Sequence, residues 1–182
     1  TGIAHYLEHM LFNGSETLGT LDYESEKPHL DRIVELYEQH FAEPDAEKRA
    51  EIYDAINAES QLAAKYAIAT ELNKVYSNMG EQAMNAGTSY ELTTYQINLP
   101  SNRLRQWAEI EADRFAHPVF RLFQPELEAV YEEKNRALDN KARAIGDAVR
   151  AALYEGHPYG RTILGSVDHL KRPSMKRMYE FF

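Results

Sequence analysis

The sequence predicts a helix-rich α+β fold, with helices packed on a small antiparallel sheet. Three observations carry that reading. Apolar residues recur at helical spacing over most of the chain. One stretch, Gln82 to Pro100, breaks that spacing and is rich in Thr and Tyr with an alternating apolar tail. And 43% of the 182 residues are hydrophobic, enough for one ordinary domain with a core and too little for two comfortable ones.

Ile3 to Phe12 has a helical pattern that Asn13–Gly14–Ser15 stops. Glu16 to Lys27 is polar and reads as loop. Pro28 to Phe41 places Leu30, Ile33, Val34, Leu36 and Tyr37 at helical spacing. "AEPDAEK" then marks a turn, with Asp45 as N-cap of a second helix running to about Lys65. That helix carries Ile52, Tyr53, Ile56 and Ala63 on one side. A shorter helix over Thr70 to Met79 ends at Gly80. Two short strands follow around a Ser-Tyr-Glu turn within Gln82 to Pro100. Helices return at Ser101 to Phe115, Pro125 to about Asn140, and about Ala142 to Tyr154. "GHPYGRTILGS" is a loop punctuated by Gly and Pro, and two short helices, Val167 to Leu170 and Ser174 to Phe182, close the chain. There is no internal repeat and no low-complexity segment.

The formal net charge of -9 argues against a nucleic-acid partner, whose phosphates need clustered Lys and Arg. With no cysteine, disulfides, thiolate metal sites and thiol nucleophiles are all excluded. No apolar run approaches the length of a membrane span, and no secretory signal is visible. The chain opens without Met, directly into a motif, and closes on two aromatics. It therefore reads as a fragment of a larger protein.

The motif is "HYLEH", His5 to His9. Four residues apart on a helix, the two imidazoles project from one face and can share one zinc ion. Glu8 lies on the rim of that face, where a carboxylate can reach water at the metal as general base. The order H-x-x-E-H inverts H-E-x-x-H. It equally describes a helix with two ordinary histidines and a surface glutamate, so a third ligand decides. "PELEAVYEEKNRAL" supplies candidates. Glu126 and Glu133 are seven apart, on one helical stripe with Val130 between them. One could ligate zinc while the other fixes a histidine tautomer. Glu128 and Glu132 share the helix, and spacing alone does not choose Glu133 over Glu132.

"GIAHYLEHMLFNGSE", "MNAGTSYELTTYQINLP", "EIEADRFAHPVFRLFQPELEAVYEEKNRALDN" and "HPYGRTILGSVDHL" resemble, in order, segments of the pitrilysin/insulysin family of inverted-zincin metallopeptidases. The resemblance implies a truncated catalytic domain of the pitrilysin and mitochondrial-processing-peptidase type over residues 1–182. It implies one zinc ion held by His5, His9 and Glu133, Glu8 as general base, and Glu126 as the carboxylate behind a ligand. Asn85 and Ala86 would hold a substrate strand added to a sheet edge. Phe12 would line the pocket near the scissile bond, or serve only as a core aromatic. Arg114 and Tyr159 read as structural.

On that resemblance the parent protein is a zinc endopeptidase acting on peptides or unfolded polypeptide segments. The alternatives are a non-catalytic partner or structural subunit, and a fragment that binds zinc without activity. The family's second homologous half would be a partner of this piece, along with the parent's remaining domains. A bacterial periplasmic or envelope address rests on similarity alone. Residues 20 to 75 exceed the usual family length and read as a helical hairpin beside the catalytic core, with His29 and His40 as surface residues. Gly87 stands where relatives often carry a bulkier residue.

Overall fold

A computed structural model describes residues 2–182. The helices are α1 (Ile3–Met10), α2 (Tyr23–Ala42), α3 (Ala46–Ala63), α4 (Glu71–Asn78), α5 (Leu104–Ala116), α6 (Phe123–Asp139), α7 (Lys141–Leu153), α8 (Val167–Lys171) and α9 (Met175–Phe181). Between α4 and α5 lie β1 (Ala83–Thr88) and β2 (Thr93–Asn98), which form an antiparallel two-stranded sheet. This is the helix-rich α+β fold that the spacing predicts. Among the described residues no helix is long and apolar enough to cross a membrane.

The core explains how α1 is held. Tyr6, Met10 and Leu11 are buried with Leu30, Ile33, Leu36 and Tyr37 of α2, Ile56 of α3, and Phe123, Leu127 and Val130 of α6. The Tyr6 hydroxyl donates to the Phe123 carbonyl at 2.5 Å, so the ring buries its apolar body and still satisfies its polar end. One side of α1 thus faces apolar side chains. The other side carries His5, Glu8 and His9 towards α6 and the hairpin of β1 and β2, which pack against α1.

The hairpin of α2 and α3 is not merely set beside this core, because its apolar stripe forms part of it. Two further expectations change here. Helix α2 begins at Tyr23, not Pro28. Asp22 caps it, accepting from the Ser25 backbone N–H at 3.2 Å and the Ser25 hydroxyl at 2.6 Å, and Pro28 sits inside the second turn. A proline there forfeits one backbone bond without ending the helix, because the cap and the buried stripe outweigh it. His40 is buried, with Tyr53 stacked obliquely 5.9 Å away. His29 is half-buried against Glu59, 2.5 Å from its Nδ1. Both face the partner helix of the hairpin and are therefore not the surface residues that the sequence pattern suggests.

The turn after α1 is fixed by a buried arginine. Arg121 and Glu26 are almost completely buried and paired, with Nε 3.1 Å from the Glu26 carboxylate. The same guanidinium donates to the carbonyls of Asn13 at 2.7 Å, Leu18 at 2.9 Å and Ser15 at 2.7 Å. Gly14 in this turn has φ 96°, and a Cβ there would lie 2.1 Å from the Leu18 carbonyl oxygen. Only glycine fits that approach and that left-handed backbone. On the other side Arg114 is buried and donates to the Leu11 carbonyl at 3.0 Å, satisfying an end-of-helix acceptor. Tyr159 donates to Glu91, tying the later loop to the hairpin turn. Both residues thus make the holding contacts that a structural role requires.

Candidate metal centre

Two helices build the site. His5 and His9 come from α1, and Glu133 comes from α6 opposite. Nε2 of His5 lies 3.3 Å from Oε2 of Glu133, and Nε2 of His9 lies 3.6 Å from the same oxygen. Ligand atoms of the three residues all fall within 4.8 Å of one another. For ligands at about 2.0–2.1 Å, a tetrahedral zinc has ligand–ligand edges of about 3.3–3.4 Å. These two separations are close to such edges, so the donor set fits the ion in type and spacing.

Glu132 is exposed and accepts from Asn135 at 3.4 Å, facing away from the histidines. A helix turns about 100° per residue, so the neighbouring carboxylates diverge, and Glu133 is the one that lies against both histidines. Glu126, two turns earlier on α6, sits behind His9 with its Oε2 3.3 Å from Nδ1. A carboxylate there makes Nδ1 the protonated nitrogen and leaves the Nε2 lone pair facing Glu133.

The two imidazoles differ electrostatically. Burial holds the His5 pKa below its ordinary value, opposed by the nearby Glu133 carboxylate. The hydrogen bond to Glu126 raises that of His9. A buried, neutral His5 is in the form that metal ligation requires.

Glu8 is buried beside these residues, and its Oε2 accepts from the Thr88 hydroxyl at 2.5 Å. Asn85 and Ala86 lie in β1, opposite Gln96 and Tyr95 of β2. Strand alternation turns Ala86 towards α1 and leaves Asn85 exposed on the other face. Phe12 is half-buried in a single 3-10 turn following α1, its ring 5.8 Å from Tyr95. It borders a small pocket together with Asn85, Trp107 and Arg114. At Gly87 a Cβ would meet nothing within 4 Å, so space alone does not dictate glycine there. Thr88 and Thr93 were not expected at the site. The available signal was their place at either end of the strand turn, at positions whose alternation points them inward.

Comparison with known proteins identifies the family. The pattern of the family described as "Insulinase (Peptidase family M16)" matches residues 58–167. That range includes β1, β2 and Glu133, while His5 to His9 precede it. Mitochondrial-processing peptidase subunit beta of Dictyostelium discoideum is 23% identical over 99% of this chain and 28% of its own length. An uncharacterized zinc protease of Mycobacterium leprae is also 23% identical, over 99% of this chain and 30% of its own length. The human mitochondrial-processing peptidase subunit beta is 25% identical over 99% of this chain and 27% of its own length. The chain thus spans less than a third of these curated relatives.

Proposed function

Since the chain belongs to the insulinase family of peptidases (peptidase family M16), we propose that the protein carrying it is a zinc endopeptidase acting on peptides or unfolded polypeptide segments. His5, His9 and Glu133 hold one zinc ion, and Glu8 is the general base. The observation that supports this most is the convergence of two imidazole Nε2 atoms on one Glu133 oxygen, with Glu8 on the same helix turn.

When bound, the ion supplies Lewis acidity and makes water more acidic. The side chains divide the remaining work. With the ion held, His5 and His9 would present unprotonated Nε2 atoms, and Glu126 keeps the His9 proton on Nδ1 by accepting from it. Glu8 takes a proton from the water that attacks the peptide carbonyl. It returns that proton to the departing amine nitrogen, so the carboxylate ends the cycle as it began. Among the described residues β1 pairs only with β2, and its other edge is where a substrate backbone would add as a strand, past Asn85 and Ala86. Phe12 borders a pocket that Asn85 also lines. The parent's remaining domains, including a second homologous half, would complete the enclosure of the substrate.

A non-catalytic subunit is the competing reading, and the presence of His5, Glu8, His9 and Glu133 together speaks against it. The test is Glu8→Gln in the full-length protein. Peptide hydrolysis should be abolished while zinc content stays at about one per catalytic domain. Turnover equal to wild type would remove Glu8 from its role.

A further inference from the structure

We propose that Thr88 and Thr93 form a two-hydroxyl relay that orients the Glu8 carboxylate and selects Oε1 as its proton-transferring oxygen. The inference rests on the reading of Glu8 as general base.

The two threonines are cross-strand partners, Thr88 at the end of β1 and Thr93 at the start of β2. Burial alternates along both strands, and Met84, Ala86 and Thr88 share the inward face with Thr93, Tyr95 and Ile97. The hydroxyls meet at 3.0 Å, and Thr88 Oγ1 lies 2.5 Å from Oε2 of Glu8. Each hydroxyl has one proton to give and lone pairs to accept with, whereas an ionised carboxylate only accepts. The order of donors is therefore forced. Thr88 gives its proton to Glu8, and Thr93 must give its own to Thr88.

A cross-strand Thr–Thr bond alone would be ordinary sheet stabilisation. The acceptor on α1 changes its meaning, because the pair ends on a buried carboxylate contributed by another element. With Oε2 occupied, Oε1 accepts no hydrogen bond from any described residue. The side chain is thereby held with one oxygen engaged and one available for a proton. Tyr95, on the same inward face, donates to the Glu8 backbone carbonyl at 3.4 Å and ties α1 to the sheet that carries the relay. Thr88 and Thr93 are thus positioning residues.

The experiment uses the full-length zinc-loaded protein and a mixed fluorogenic peptide substrate. Thr88→Val keeps the branched shape and removes the hydroxyl. It should lower kcat about 10- to 100-fold, the scale of a lost hydrogen bond to a charged group, with KM within about twofold and zinc content unchanged. Thr88→Ser should recover to within about threefold of wild type, which a packing defect would not. Thr93→Val, one link further out, should lower kcat about three- to tenfold, and it carries the test if Thr88→Val fails to fold. Wild-type kcat in a folded Thr88→Val or Thr93→Val protein, with Glu8→Gln inactive, would overturn the relay and leave the peptidase reading standing. An active Glu8→Gln protein would overturn both.

Discussion

Replacing Arg121 by Met removes the guanidinium that ties the turn after α1 to α2 and to the start of α6. Six donor contacts disappear together: three to the Glu26 carboxylate, from Nε at 3.1 and 3.4 Å and Nη2 at 3.2 Å, and three to the carbonyls of Asn13, Leu18 and Ser15. Glu26 is fully buried, so its partner cannot be replaced by bulk water. Removing one member of a buried pair costs about 3–5 kcal/mol, and each buried carbonyl left without a donor adds about 1–3 kcal/mol before relaxation. The contacts are coupled, so the sum overstates the effect. A net loss of about 4 kcal/mol or more is expected, a large share of the roughly 5–15 kcal/mol of a typical domain. Urea unfolding of this chain followed by far-UV circular dichroism measures it. Adding Glu26→Leu to Arg121→Met should recover part of the loss, because the unpaired buried charge is then gone. A destabilisation under about 1 kcal/mol for the single variant, or no recovery in the double, would refute the reasoning.

Three more outcomes follow from the same contacts. Glu126→Ala takes the acceptor from His9 Nδ1 and should weaken zinc binding about 10- to 100-fold in a chelator competition; unchanged affinity would mean that Glu126 does not support the ligand. Gly14→Ala forces a methyl against the Leu18 carbonyl at a positive φ and should lower stability by about 2 kcal/mol or more, read from the urea midpoint. His40 has its pKa lowered from its ordinary 6.5, mainly by burial and also by Arg49 and Arg172. The unfolded chain therefore takes up this proton first as pH falls, and the His40 contribution is intact above about pH 6.5 and lost progressively below it. Between pH 7.5 and 5.5 the urea midpoint should fall less in His40→Phe than in wild type, and equal slopes would contradict this.

Helical spacing located most elements because their buried stripes are continuous. Leu30, Ile33, Leu36 and Tyr37 mark α2 as plainly in the sequence as in the core. The start of α2 was hidden because Pro28 is a strong local signal, while the cap that sets the boundary is a pair of bonds that Ser25 donates to the Asp22 carboxylate three residues earlier. The burial of His40 depends on which face of α2 meets α3, and polar spacing does not record that. At the site, the two proposed histidine ligands on α1 are a local pattern and could be read directly. The proposed third belongs to another helix, and Glu132 and Glu133 differ by a rotation that shows only once α6 is packed on α1. Thr88 and Thr93 lay outside any motif. Their partnership with Glu8 exists only once the hairpin has closed and docked on α1.

The most direct test of the central claim is the zinc content of this chain purified without chelator, beside Glu133→Ala and Glu132→Ala. The account predicts about one zinc in the wild type and in Glu132→Ala, and sharply less in Glu133→Ala. Equal zinc in all three, or a loss confined to Glu132→Ala, would contradict the assignment of His5, His9 and Glu133 as the metal ligands.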